Sequence, residues 1–260
     1  MLGVALGIGV LMFRLPPVPQ PASYHQFADQ RPLLGIPNFG NVASNLPFAI
    51  VGLCGLWFLL KPDKLKNAFI DSRERRPYVV AFLGLLLTAF GSAYYHLAPS
   101  NARLVWDRLP MTIVFGALIA IVVMERISVE AGLKLLPFLV AIAAGSVLQW
   151  YRDELHGHGD LRFYAAVQLY SALVLLIALV LKPRYSRSAD FAVVFGFYLL
   201  AKIFETADRF VFAYGHVVSG HSLKHLAAAA AGYWILRMLC FRRPIAAMVA
   251  NSFDFRATAD

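Results

Sequence analysis

Long apolar segments recur along almost the whole chain, and this pattern constrains the fold more than any other feature of the sequence. A membrane-spanning helix needs about 20 predominantly apolar residues. Eight segments approach or reach that length, with short polar connections between them: 1–13, 43–60, 78–96, 109–124, 132–150, 162–181, 190–204 and 221–241. The sequence therefore predicts an all-α, polytopic transmembrane helical bundle with a seven-helix core and an extra N-terminal span.

Composition and length agree with that prediction. The chain of 260 residues is 59% hydrophobic and 15% charged, with a mean hydropathy of +0.63, whereas soluble domains are about half apolar and about a quarter charged. The spans use nearly all of the chain, so we expect no separate soluble domain. We divide the chain into an N-terminal apolar segment with a proline-rich connector (1–23), a seven-span domain (24–241) and a cytoplasmic tail (242–260).

The basic residues lie mainly in alternate connections, and this distribution predicts the orientation in the membrane. Lys and Arg concentrate in 61–77, in 182–189 and in the tail, while 14–42, 97–108 and 151–161 hold fewer. Basic connections are retained on the cytoplasmic side. We expect a multi-pass protein of a bacterial inner membrane or an equivalent membrane. The run 61–77 lacks an interleaved aromatic platform, so the net charge of +9 does not indicate a nucleic-acid partner.

Five polar residues are predicted at the non-cytoplasmic side of the bundle, although they belong to three different segments. Ser92 and His96 are one helical turn apart at the end of the third segment. Asp107 opens the fourth segment, with a proline near its first turn, and His221 and His225 open the last segment one turn apart. Ionisable residues at membrane depth usually face the bundle interior for a functional reason. We therefore expect these side chains to form one site.

Three of the five are histidines, and their number suggests a metal. A catalytic Zn²⁺ typically takes three protein ligands and leaves a fourth position for water. A single H-x-x-x-H pair is more often two hydrogen-bonded interfacial histidines than a metal site. The second cluster, with Ser92, His96 and an aspartate eleven residues after His96, favours zinc bound by His96, His221 and His225.

Two stretches together resemble a known family. The sequence GSAYYHLAPSNARLVWDRLPM, followed much later by HSLKH, resembles the alkaline ceramidases, which belong to a superfamily of seven-span hydrolases that includes the adiponectin and progestin receptors. The stretch FADQRPLLGIPNFGNVASNLPF is similar to the entry region of the same family. The resemblance covers 24–241 and leaves the first apolar segment as an addition to the seven-span core.

The resemblance implies a function and roles for the residues. It implies that His96, His221 and His225 bind Zn²⁺, that Ser92 and Asp107 act catalytically beside it, and that the substrate is the amide of ceramide or a related N-acyl lipid. Asp107 would exchange a proton between the attacking water and the departing amine, or would instead orient one of the histidines. Ser92 would donate a hydrogen bond to the oxyanion.

The chain departs from the family pattern at two places. The eukaryotic D-E-L-P-M run reads DRLPM here, so Arg108 replaces an acidic residue. The family also carries an acidic calcium site near its amino terminus, where this chain offers Asp29, Asn38 and Asn41 with fewer carboxylates. The corresponding expectation is a weak calcium site at these three residues.

Two other functions remain open at this point. The chain could be a receptor-like or lipid-sensing membrane protein that keeps a structural zinc site, although such a site needs neither Ser92 nor Asp107. An intramembrane serine hydrolase using Ser92 and His96 is the third reading. It lacks a nucleophile-elbow motif and leaves the other two histidines unexplained.

Overall fold

The computed structural model describes residues 1–61, 68–246 and 248, and the prediction of an all-α fold is confirmed for that part of the chain. It contains α-helices, two 3₁₀ turns at Ala22–His25 and Ser72–Glu74, and no strand within those ranges. The α-helices are α1 (Leu2–Arg14), α2 (Phe39–Ala43), α3 (Leu46–Leu60), α4 (Arg75–Leu97), α5 (Asn101–Arg126), α6 (Val129–Leu155), α7 (Arg162–Val180), α8 (Asp190–Thr206), α9 (Asp208–Ala213) and α10 (Gly220–Phe241).

Among the described residues, five helical segments are long and apolar enough to cross a membrane, which indicates a multi-pass membrane protein. They are Phe39–Leu60, Ser72–Leu97, Asn101–Arg126, Val129–Leu155 and Arg162–Val180. The predicted segments 190–204 and 221–241 form α8, with 17 residues, and α10, with 22 residues. Neither is among the five: α8 is short, and α10 begins with polar turns.

Helix α5 is the centre of the bundle. About three quarters of its apolar window is buried, more than in any other of the five segments. It packs against α4, α6 and α7, while α10 packs against α8 and α3. The largest buried cluster joins α3, α4, α5 and α10, and includes Phe82, Leu118, Ile121 and Met238.

The fourth apolar segment begins earlier than the sequence suggests. The Ser100 hydroxyl accepts a hydrogen bond from the Arg103 N–H and caps α5, which starts at Asn101. Asp107 therefore lies well inside the helix, and Pro110 lies in the helix interior rather than near the first turn. The expected position of Pro110 was wrong, because the polar residues of 101–108 are part of the helix although they interrupt its apolar pattern.

The opposite end of α5 carries a buried ion pair. Arg242, which follows α10, pairs with Glu125 and donates a hydrogen bond from Nε to the Ala68 carbonyl at 2.8 Å. Tyr78, near the start of α4, also donates to Glu125. The first residue of the predicted tail is thus buried in the bundle. Residues 62–67 of the predicted basic connection, and 247 and 249–260 of the predicted tail, lie outside the described residues.

The first apolar segment forms the short helix α1 beside α7. Thirteen residues of helix extend about 20 Å, less than the roughly 30 Å of a bilayer core. Its C-terminal end is bound by α7, because Arg162 Nη1 donates to the Met12 carbonyl at 3.1 Å. The structure therefore shows a helix that packs on the bundle but is too short to cross a typical bilayer.

Candidate metal centre

Three histidines from two helices meet inside the bundle. His96 is the second-to-last residue of α4, and His221 and His225 occupy the first turns of α10. All three are buried, and one potential ligand atom from each lies within 4.8 Å of the others. Their ring centroids are 4.8–5.0 Å apart in edge-to-face arrangements. The cluster predicted from the sequence forms, and it can hold a metal ion.

The contacts of the individual rings fit a metal better than a hydrogen-bonded histidine pair. His225 Nδ1 lies 2.8 Å from the Ser44 hydroxyl, which leaves its Nε2 free for a ligand role. His96 Nδ1 is buried and has no hydrogen-bond partner among the described residues. Buried polar atoms are almost always satisfied in native proteins. The unsatisfied nitrogen is the observation that a bound cation, or an ordered water associated with it, would explain.

Asp208 fixes the start of α10 beside the segment that precedes α2. Its Oδ1 accepts a hydrogen bond from the His221 backbone N–H at 2.7 Å, and its Oδ2 accepts from the Ala28 N–H at 2.9 Å. Ser219 caps the same helix with its side chain. Nothing local to Asp208 in the sequence indicates either partner, so it was not among the predicted site residues.

Ser92 and Asp107, the two predicted catalytic residues, lie next to each other. Both are buried, and the residues that precede them, Gly91 in α4 and Trp106 in α5, are in close contact. The Ser92 hydroxyl nevertheless makes no hydrogen bond of normal geometry with the described residues. It is therefore free to donate to another group.

Lys224 and Glu205 form an ion pair beside the histidines, and the sequence analysis did not single out the lysine. Lys224 Nζ lies 2.9 Å from Glu205 Oε1 and 3.4 Å from His221 Nε2. Glu205 also pairs with Lys202 and accepts a hydrogen bond from the Tyr24 hydroxyl at 3.3 Å. A lysine between the two histidines of an apolar segment was the signal that could have identified this group.

Asn38 and Asn41, two of the three residues predicted to bind calcium, form hydrogen bonds at the end of α4 and the start of α10, the helices that carry the histidines. Asn38 Nδ2 donates to the His96 carbonyl at 2.9 Å. Asn41 Oδ1 accepts from the hydroxyls of Ser219 at 3.2 Å and Ser222 at 3.1 Å. The Asn41 side-chain oxygen therefore already has two donors.

Asp29, the third residue of the expected calcium site, is held by Arg31. Arg31 Nε and Nη2 donate to the two carboxylate oxygens of Asp29 at 2.8 Å each. These hydrogen bonds hold the pKa of the Asp29 carboxyl below its usual value. A calcium ion would have to displace the guanidinium, and calcium binding stays a prediction.

A cavity of about 340 Å³ reaches Lys224, which contacts His221, but neither Ser92 nor the three histidines are among its lining residues. Its polar end includes Asp107, Lys224 and Glu205. The remainder is mostly apolar and is lined by side chains such as Phe48, Leu85, Leu118, Val194 and Ile235. The cavity thus joins a charged end, next to the histidines, to a volume suited to an alkyl chain.

No protein-family model matches the chain, and a search of the curated proteins finds no match. The arrangement of the site itself is therefore what supports a function.

Proposed function

We propose that the protein is a zinc-dependent intramembrane amidohydrolase that cleaves the amide of ceramide or a related N-acyl lipid. One combination of observations carries the proposal: three buried histidines converge, Ser92 lies one helical turn from His96, and the buried Asp107 lines a largely apolar cavity. A purely structural metal site would need neither the aspartate nor the cavity.

His96, His221 and His225 would hold the zinc. The unsatisfied Nδ1 of His96 and the Ser44 contact of His225 both fit this role. When bound, zinc supplies a Lewis acid that polarises the amide carbonyl and lowers the pKa of water to about 7.

The protein side chains supply proton transfer and oxyanion stabilisation. Water adds to the carbonyl carbon, the C–N bond breaks as the new C–O bond is retained, and the products are a fatty acid and a free amine. In this proposal Asp107 accepts a proton from the water and returns it to the departing nitrogen. The Ser92 hydroxyl, which has no normal hydrogen bond with a described residue, would donate to the carbonyl oxygen as negative charge develops.

The apolar part of the cavity would hold the acyl chain. An amide lipid can keep its alkyl chains in apolar surroundings while the amide reaches the polar end, where Asp107 and Lys224 lie. The separation of an apolar part for the alkyl chains from a polar end for the amide explains why a hydrolytic site would lie inside a membrane bundle. Water would enter the cavity from its polar end.

We further propose that α8 and α10 complete a seven-span core and that the site faces away from the cytoplasm. Asp107 and Glu125 lie about 27 Å apart along α5, so the histidine site and the buried Arg242 cluster mark opposite ends of the bundle. The described parts of two basic connections, 68–77 and 182–189, lie at the Arg242 end, which the positive-inside rule assigns to the cytoplasm. The membrane would be a bacterial inner membrane or an equivalent one.

Metal analysis combined with a hydrolysis screen tests the function. Purified protein is expected to contain about one zinc per chain and to release fatty acid from an N-acyl sphingoid base, and a chelator should abolish the release. Zinc-loaded protein that binds such lipids but leaves a broad panel of them intact would contradict the proposal and support the receptor-like alternative.

A further inference from the structure

Arg108 lies at the polar end of the cavity, directly after Asp107 in α5. Its side chain is buried, with 4% of its surface exposed, and it lines the cavity. The guanidinium carbon lies 4.6 Å from the centre of the Trp150 ring, 4.8 Å from Tyr164 and 5.3 Å from Tyr24. These rings hold the guanidinium in place and partly stabilise its charge.

The guanidinium lacks a full set of partners. Nη2 donates to the Gln20 side-chain oxygen at 2.6 Å, but the buried Nη1 has no hydrogen-bond partner in the part of the chain that the structure describes. No carboxylate in the described part of the chain forms an ion pair with Arg108. An arginine cannot escape burial by losing its proton, and an unpaired buried charge is strongly unfavourable. A ligand that brings an acceptor and a negative charge would satisfy it.

The described residues that line the cavity include one more cationic side chain than carboxylates, so one further anion would balance their charge. Among the described lining residues, three are cationic, Arg108, Lys202 and Lys224, and two are carboxylates, Asp107 and Glu205. Glu205 is paired with both lysines. Neither Asp107 nor Arg108 forms an ion pair with any described residue. Arg108 is therefore the cation with the least direct compensation.

We propose that the amine half of the substrate carries an anionic group, a carboxylate or a phosphate, and that Arg108 binds it. This inference rests on the proposed amidohydrolase function. The acyl chain occupies the apolar part of the cavity and the amide lies near Asp107, so a group beside Arg108 must belong to the amine side. The planar guanidinium can form paired hydrogen bonds with either anion, which makes Arg108 the residue that selects anionic N-acyl lipids over neutral ones.

Matched lipid pairs test the preference and distinguish the two anions. N-palmitoylserine is compared with N-palmitoylserinol, in which a hydroxymethyl group replaces the carboxylate. N-palmitoylethanolamine phosphate is compared with N-palmitoylethanolamine. Because charge-assisted hydrogen bonds are strong, the anionic member of at least one pair is expected to bind about tenfold to a hundredfold more tightly.

Binding is measured with zinc-loaded Asp107→Asn protein in nonionic detergent micelles, because its turnover should be slow. The ratio of the two Kd values within a pair cancels most effects of that substitution. In this background Arg108→Gln should reduce the ratio to about one. Arg108→Lys keeps the charge but loses the planar fork, so it should retain only part of the preference.

Arg103→Gln is the matched control. Arg103 is also on α5 and also lies over an aromatic ring, at 4.5 Å from the centre of Tyr94, but it does not line the cavity. This variant should keep the full preference. Equal Kd values within both pairs in the parent protein, or an unchanged ratio in Arg108→Gln, would overturn the proposal. If Arg108→Gln does not fold, an unchanged ratio in Arg108→Lys would overturn it instead.

Hydrolysis by the otherwise unmodified protein separates this inference from the proposed function. Tight, Arg108-dependent binding of an anionic lipid without any hydrolysis would support the anion site and contradict the amidohydrolase. Equal hydrolysis of both members of each pair, with equal Kd values, would support the amidohydrolase and contradict the anion site.

Discussion

Replacing Gly91 by alanine should separate α4 from α5 at the point where the two helices carry the site. Gly91 precedes Ser92, and an added Cβ would lie 1.9 Å from the carbonyl oxygen of Trp106, the residue before Asp107. Pro110 has no N–H to offer that carbonyl within the helix, so the oxygen is not held by the usual helical hydrogen bond. Ordinary contact begins near 3.4 Å, so the backbones must move apart by about 1.5 Å.

The size of the effect follows from that displacement. Overpacking of this kind typically destabilises a protein by about 1–3 kcal/mol. A shift of about 1 Å between reacting groups can reduce turnover about a hundredfold. Since His96 lies on the same helix as Gly91, zinc affinity should fall as well. The variant is therefore expected to unfold at a lower temperature, bind zinc more weakly and lose most amide hydrolysis.

Gly145→Ala is the control, because Gly145 lies within α6 and an added Cβ there meets nothing within 4 Å. Alanine is a better helix former than glycine, so this variant should be equally or slightly more stable. Thermal unfolding in detergent, chelator competition for zinc and fatty-acid release are measured for both. If Gly91→Ala matched Gly145→Ala in all three, the close approach of α4 to α5 would not control the site.

Three further predictions concern the metal, its support and the orientation. His221→Ala should lose both zinc and activity, whereas Asp107→Asn should keep zinc while its turnover falls about 10²-fold or more. Metal analysis and fatty-acid release are measured for both variants. Normal hydrolysis by Asp107→Asn would exclude Asp107 as the base. Ser44→Ala should weaken zinc binding about tenfold to a hundredfold in chelator competition, because it removes the hydrogen-bond partner of the His225 ring. An unchanged zinc affinity would show that Ser44 does not support His225 as a ligand. Ala98→Cys, in a cysteine-free background, should react with an impermeant thiol reagent in intact cells, and labelling only after membrane disruption would reverse the proposed orientation.

Local periodicity predicted the helices but not where they begin. The apolar segments 78–96 and 109–124 lie inside α4 and α5, which are longer. Hydropathy placed the start of α5 too late, because Asp107 and Arg108 lower it although both are buried in the helix. In a hydropathy pattern, polar residues that line an internal site resemble polar residues at the end of a span. Their burial in the structure is what shows that they belong to the helix interior.

For the candidate site too, the sequence predicts local relations between residues but not the contacts between distant segments. The spacing of Ser92 from His96, and of His221 from His225, could be read from the sequence because one helical turn relates each pair. The support of His225 could not, since Ser44 is 181 residues away. Such contacts depend on how α10 packs against the rest of the bundle, which no local pattern specifies.

Two arginines are buried among the described residues, and their surroundings differ in a way that bears on function. Arg242 has a carboxylate partner in Glu125 and a backbone acceptor, with 2% of its surface exposed. Both guanidiniums lie over three aromatic rings, and each keeps one buried nitrogen without a hydrogen-bond partner among the described residues. Arg108, at the other end of α5, differs in having an amide oxygen, from Gln20, where Arg242 has a carboxylate. A paired arginine can be explained by the fold alone. An arginine that lines a cavity and has no carboxylate partner is better explained by a molecule that enters the cavity, because an anionic group there would balance its charge.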